Sequence, residues 1–167
     1  MSVRNLDVLF RPRSIALVGA SKEPRSIGAV LAHNLFNAGF DGPIMPVNPH
    51  EVAIEGVLTY PSIDKLPLVP DLAVIATPPP TVPQIVADLG ARGTRAVVII
   101  SAGFGELGDE GRKLQQAVLD AAKPYTLRIV GPNCLGFMVP GHGVNASLHR
   151  RRLFPEISPS SASRARS

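Results

Sequence analysis

Tryptophan is absent from the 167 residues, and aromatic residues make up only 5%. Surfaces that stack the bases of single-stranded nucleic acid are built from aromatic rings, so nothing here points to that class of partner. Cysteine occurs once, at Cys134. One thiol forms no internal disulfide, and the expectation is a reducing, cytoplasmic setting. No apolar run approaches the length of a bilayer span, so no membrane role is expected. Met1 to Phe10 lacks the basic stretch and long apolar core of a secretory signal. His33, His50, His142 and His149 do not fall at metal-ligand spacing, and no metal site is expected.

The body of the chain also lacks net charge. The total is +4, but five of the 17 basic residues (Arg150, Arg151, Arg152, Arg164 and Arg166) lie in 149–167, against Glu156 alone. Twelve residues of each sign remain in 1–148, so the basic character belongs to the tail. A nucleic-acid partner is therefore not expected.

What is present is organised around Ser14–Gly28. Ile15 to Val18 is a short apolar run with β-branched ends, the pattern of a strand covered on both faces. Gly19 permits a turn that a side chain would block. Ser26 stands where a helix N-cap belongs, before the periodic Ile27, Val30, Leu31 and Leu35. A loop feeding a helix N-terminus offers free N–H groups and the positive end of a dipole, which suits a phosphate. The stretch suggests nucleotide binding and leaves open which nucleotide.

Leu6, Leu9 and Phe10 predict a short N-terminal helix. Strand one is Ser14–Val18, and a helix runs from about Ile27 to Ala38, with Gly39 just past its end. Strand two is Pro43–Pro49, and its prolines favour a place near the edge of a sheet. Pro61–Leu66 reads as one helical turn. Strand three is Leu72–Thr77, followed by a helix from near Thr81 with Val82, Ile85, Val86 and Leu89 on one face. Strand four is Ala96–Ile100, strand five is Leu127–Val130, and between them Leu114, Ala117, Val118 and Ala121 mark another helix. The alternation predicts an α/β fold: a Rossmann-like, doubly wound parallel sheet with right-handed crossovers. We expect the strand order 3-2-1-4-5. Strands one and four would then flank the ligand crevice, and the loops Gly19–Gly28 and Ser101–Gly105 would face each other.

A dinucleotide fingerprint reads Gly-x-Gly-x-x-Gly, with an acidic residue ending strand two. Here the loop is Gly19-Ala20-Ser21, the next glycine is Gly28, and strand two ends Val47-Asn48-Pro49-His50. NAD is disfavoured. Lys22 lacks the Gly-Lys-Ser/Thr setting of a phosphate-binding P-loop.

Five motifs occur in order at strand ends: Val18-Gly19-Ala20-Ser21, Pro46-Val47-Asn48-Pro49, Val74-Ile75-Ala76-Thr77-Pro78, Ser101-Ala102-Gly103-Phe104 and Gly131-Pro132-Asn133-Cys134-Leu135-Gly136. Over about residues 5–148 the set resembles the coenzyme A (CoA)-binding domain of NDP-forming acyl-CoA synthetases. The same module occurs in the succinyl-CoA synthetase alpha subunit, in ADP-forming acetyl-CoA synthetases and in GNAT-fused protein acetyltransferases. The resemblance implies CoA as ligand or substrate. It implies that Gly19, Ala20, Ser21 and Lys22, with Arg25 nearby, hold the CoA phosphates. Val47, Asn48 and Pro49 would line the adenosine side, and Ala76, Thr77 and Pro78 the same groove. Ser101, Ala102 and Gly103 would meet the pantetheine arm. Asn133 and Cys134 would lie towards the thiol. The succinyl-CoA synthetase alpha subunit carries Thr-Glu-Gly where this chain has Ser101-Ala102-Gly103.

From about Leu148 periodicity stops and Arg, Ser and Pro take over, so residues 149–167 are expected to form a basic tail without a packed core. In the family a second α/β domain carries a phosphohistidine, and an ATP-grasp domain or subunit binds the nucleotide. Neither is expected in these 167 residues. The expectation is a reading frame truncated or shifted near Leu148, and a chain that binds CoA without completing catalysis and with no catalytic residue of its own. Two other readings stay open: an NAD(P)-binding Rossmann module acting as redox enzyme or sensor, and a non-catalytic regulatory module.

Overall fold

A computed structural model describes residues 3–149. Of the expected basic tail, residues 149–167, all but His149 lies outside the described residues.

The chain opens with α1 (Leu6–Phe10), which buries Val8 and Leu9. Strand β1 (Ile15–Val18) follows, with all four residues buried. Helix α2 (Ile27–Phe36) starts at the predicted cap: the Ser26 Oγ accepts a hydrogen bond from the Ala29 N–H at 3.1 Å. The helix ends two residues before the expected Ala38, at an Asn37 cap. Strand β2 (Ile44–Val47) is followed by a small antiparallel hairpin, β3 (Ala53–Ile54) and β4 (Val57–Leu58). A single helical turn at Ile63–Lys65 leads to β5 (Leu72–Ile75), again wholly buried. Helix α3 (Val82–Arg92) carries Pro83 in its first turn and stops at Gly93, whose φ of 103° lets its N–H reach back to Leu89 and Gly90 carbonyls. Then come β6 (Ala96–Ile99), α4 (Asp109–Ala122) and β7 (Arg128–Val130). A second antiparallel hairpin, β8 (Gly136–Val139) and β9 (Val144–Ser147), closes the described chain.

The five long-range strands form one parallel sheet in the order β2-β1-β5-β6-β7. This bears out the Rossmann-like, doubly wound class. It corrects the strand order: counting the predicted strands along the chain, the sheet runs 2-1-3-4-5, not 3-2-1-4-5. Leu72–Ile75 pairs directly with Ile15–Val18, so the loop after β5 stands between the two glycine loops that were expected to face each other. The physical reason is burial. A strand with apolar side chains on both faces needs cover on both, which only a central position supplies. The proline-bearing β2 takes the edge instead. The Pro46 carbonyl accepts the Tyr60 N–H at 2.9 Å, so its backbone turns outward and the missing proline N–H costs the sheet nothing.

Side-chain alternation sorts the sheet into two cores. Ala16, Val18, Ala73, Ile75, Val97 and Ile99 pack towards α3 and α4, against Val82, Val86, Leu89 and Val118. Ile15, Leu17, Leu72, Val74, Ala96 and Val98 pack towards α1, α2 and β9, against Leu31, Leu35, Val144 and Ala146. The β8–β9 hairpin, which the sequence reading did not anticipate, thus supplies part of the second core. At the opposite edge of the strands, Asp71 accepts hydrogen bonds from the Arg13 backbone N–H (3.0 Å), the Arg13 Nε (3.2 Å) and the Arg95 Nη2 (3.3 Å).

Candidate functional site

Strand order reverses between β1 and β5, and this opens a crevice above the carboxyl ends of the strands, the usual ligand position in such sheets. A cleft of about 780 Å³ lies there. It is within the size range of small-molecule and cofactor sites.

The first wall is the loop after β1. Gly19 has φ 90°, and a Cβ on it would stand 2.6 Å from the Ala76 carbonyl oxygen, so only glycine lets the β1 and β5 loops approach this closely. Gly28, in the first turn of α2, packs against the same loop, and a Cβ there would overlap the Gly19 carbonyl oxygen. Among the described residues the backbone N–H groups of Ala20, Ser21 and Lys22 have no protein acceptor. The Ser21 Oγ accepts from the Glu23 N–H at 3.0 Å, which leaves its own proton free to donate. A run of unsatisfied donors before a helix N-terminus is an anion cradle.

The second wall is the loop after β2. Asn48 donates through Nδ2 to the Ala20 carbonyl at 2.8 Å, and its Oδ1 accepts the His50 N–H at 2.8 Å. One side chain therefore shapes its own turn and ties it to the anion loop. The third wall is Ala76-Thr77-Pro78 after β5. Nine expected site residues, Gly19, Ala20, Ser21, Val47, Asn48, Pro49, Ala76, Thr77 and Pro78, line this one cleft.

The other expected residues do not line it. Lys22 is at the rim, its Nζ 2.6 Å from the Glu51 Oε2. The Glu51 carboxylate, as hydrogen-bond acceptor and as charge, raises the Lys22 ammonium above its usual range. Arg25 is exposed, at φ 70°. Ser101 is buried, and its Oγ donates to the Thr77 carbonyl at 2.6 Å, so it braces the third wall from behind. Ala102 is exposed, and the Gly103 N–H is bonded to the Glu106 Oε1 at 2.6 Å. The Asn133 N–H donates to the Ser101 carbonyl at 2.9 Å, and the Cys134 Sγ lies 3.4 Å from the Ile99 carbonyl oxygen. Burial pushes the Cys134 thiol up from its ordinary value. These five residues follow β6 and β7, further along the same edge of the sheet.

The far wall was missed in the sequence. Thr81, Ile85, Asp88 and Arg92 recur at helical spacing at the start of and along α3, and all four line the cleft. Arg92 donates to the Asp64 carbonyl at 3.1 Å and to the Leu66 carbonyl at 2.9 Å, fixing the 63–65 turn, whose Ile63 and Asp64 complete the wall. The Ser62 hydroxyl, bonded to its carboxylate, and then Lys65 hold Asp64 below the ordinary carboxylate range. The spacing was readable. Its meaning depended on α3 flanking a central strand, which the expected strand order denied it.

Fold and cleft together define a Rossmann-like ligand-binding domain whose site is built from strand-end loops around an anion cradle. Comparison with known proteins narrows the class. The family described as "CoA binding domain" matches residues 13–140, and the chain belongs to it. The alpha subunit of ADP-forming acetate–CoA ligase I from Pyrococcus furiosus is 39% identical over 155 residues, covering 90% of this chain and 34% of that protein. The alpha subunit of the ADP-forming acetate–CoA ligase II of the same organism is 40% identical over 142 residues, covering 85% and 31%. The solved dinucleotide-forming acetyl-coenzyme A synthetase 1 of Ca. Korarchaeum cryptofilum, in complex with phosphate and ADP, superposes with a TM-score of 0.81 at 36% identity. That match covers 86% of this chain and 30% of the other. The chain resembles the N-terminal part of these enzymes and spans about a third of the length of the curated relatives it matches.

Proposed function

We propose that the cleft binds coenzyme A, and that the domain presents it as acyl acceptor within an ADP-forming acyl-CoA synthetase. The observation that carries this reading is the loop Ala20–Lys22, whose free N–H groups open on a cleft shared with Asn48 and Thr77. The fit is specific at one point: Gly19 leaves no room for a side chain between the β1 loop and the Ala76 carbonyl, so the β1 and β5 loops meet backbone to backbone at the cleft. Ala20, Ser21 and Lys22 would hold the pyrophosphate through backbone N–H groups and the Ser21 hydroxyl, with Arg25 as a nearby cation. Val47, Pro49, Ile63 and Ile85 give the cleft apolar walls suited to an adenine ring. Ser101, Asn133 and Cys134 lie further along the sheet edge, in the direction the pantetheine arm would take. CoA, when bound, supplies a thiol that accepts the acyl group. Among the described residues no hydrogen-bonded carboxylate–histidine or cysteine–histidine pair lines the cleft, and the part proposed for this chain is to bind and orient CoA. The phosphorylated relay and a nucleotide-grasp domain or subunit would come from other sequence, and the setting is the cytoplasm.

Calorimetric titration of the full chain with CoA, dephospho-CoA and NADH tests the reading. Saturable CoA binding with weak or absent NADH binding is expected. Tight NADH binding without CoA binding overturns it in favour of a redox module. If neither ligand binds or raises the melting temperature, the domain is regulatory, since a ligand that binds only the folded state must stabilise it.

A further inference from the structure

Two side-chain ties join the loop after β1 to the loop after β2, and they differ in kind. Asn48 reaches the Ala20 carbonyl from inside the cleft, a bond between two neutral amide groups. Lys22 meets Glu51 at the rim, one residue beyond Ser21 on one side and one beyond His50 on the other. The lysine side chain is 63% exposed, whereas that of Glu51 is only 15% exposed. The anchored partner is thus the carboxylate and the movable one is the ammonium. Arg25, the other cation of the anion loop, has no ion-pair partner among the described residues.

We propose that Glu51 is a specificity-determining residue of the cleft: an internal counter-ion that holds Lys22 across the mouth until a multiply charged phosphate ligand draws it away. Resting on the reading of the cleft as a CoA site, this assigns the two cations different roles. Arg25 is available to any anion. Lys22 is available only to a ligand whose charge outcompetes a carboxylate already in contact. A ligand with a single weak charge leaves the pair closed and gains nothing from Lys22. The Asn48 tie keeps the loops in place when the pair opens, so the exchange needs motion of one lysine side chain and not of the backbone.

The test uses the full chain, with CoA and inorganic pyrophosphate as probes, and the variants Glu51→Gln, Lys22→Met and the double variant. Glu51→Gln is expected to tighten CoA and pyrophosphate binding by about two- to fivefold, the scale of an exposed pair released. The gain should vanish when Lys22 is already Met. An unchanged or weakened affinity in Glu51→Gln overturns the proposal. So does an equal gain in both backgrounds, because that is a general charge effect and not a latch. A separate readout keeps the latch apart from the CoA reading: NMR titration of the Lys22 ammonium in ligand-free protein. It should fall towards the ordinary lysine value in Glu51→Gln. If it does not move, the latch is refuted whatever binds. If it moves while wild-type protein binds neither probe, the specificity role falls together with the CoA reading, and only the pair survives.

Discussion

Replacing Gly28 by alanine sets two effects of opposite sign against each other. Gly28 lies in the first turn of α2, where alanine is the better helix former by about 1 kcal/mol. Propensity alone makes the variant more stable. The contact argues the reverse. A Cβ at this position overlaps the Gly19 carbonyl oxygen and stands 3.1 Å from the Ser21 nitrogen, and both are backbone atoms that cannot rotate aside. The helix must back away from the loop, a form of overpacking that costs about 1–3 kcal/mol and falls at the upper end where backbone has to shift. Subtracting the helix gain leaves a net loss of roughly 1–2 kcal/mol. For a chain of this size that lowers the melting temperature by roughly 2–8 °C. Differential scanning calorimetry reads the sign directly. Gly141→Ala is the control, because a Cβ there meets nothing within 4 Å, and it should stay within about 2 °C of wild type. A Gly28→Ala protein that melts at or above the wild-type temperature refutes the close helix-to-loop contact, and with it the shape assigned to the anion cradle.

Other outcomes follow from single contacts. Asn48→Ala removes both the tie to Ala20 and the turn at His50, so CoA affinity should fall by about fivefold to tenfold in calorimetry, for a hydrogen bond worth about 1 kcal/mol and a loop no longer held. Ser101→Ala leaves the Thr77 carbonyl without its donor and should lower stability by about 1 kcal/mol in urea unfolding while the cleft stays able to bind. At Asp71, burial raises the carboxyl, but the Arg13 and Arg95 bonds outweigh it and the net value is depressed. A depressed folded value means stability that is present above the unfolded value of about 3.9 and is lost as pH falls through the folded one. Melting temperature below pH 4 should therefore drop more steeply in wild type than in Asp71→Asn, and parallel curves would sink this account. Cys134, with a raised thiol, should alkylate with iodoacetamide at pH 8 more slowly in the folded chain than in urea.

The local grammar of the chain was readable because it is written in neighbouring residues. Ser26 capped its helix as its position demanded, Pro83 sat in a first turn, and the apolar tetrads at Ile15, Leu72 and Ala96 became strands. Strand order is a long-range property, and there the reading failed. The prolines of strand two favour an edge, yet the expected order places strand three outside it. Leu72 to Ile75 has no polar side chain to offer solvent, and such a strand belongs in the middle. The error spread to the site. It hid the α3 face bearing Ile85, Asp88 and Arg92, and it brought Ser101 too close to Gly19. The nine residues that do share the cleft came from motifs at the ends of β1, β2 and β5, the three strands that border the switch point. The hairpin at Gly136–Ser147 was invisible for another reason. Gly136 must hold φ 120° against Ser147, a requirement of the partner strand and not of its own neighbours.

The outward turn of Pro46 reaches beyond the edge it sits on. Tyr60 donates to the Pro46 carbonyl and accepts the Asn48 N–H, and proline offers no donor, so the Pro46–Asn48 stretch of the β2 edge is closed to a further strand. On the opposite side, β7 pairs with β6 alone among the described residues, and its three residues are only half covered. The two edges of the sheet are therefore unlike: one is closed over Pro46–Asn48 by Tyr60, and the other is a short strand that begins with a charged residue, Arg128.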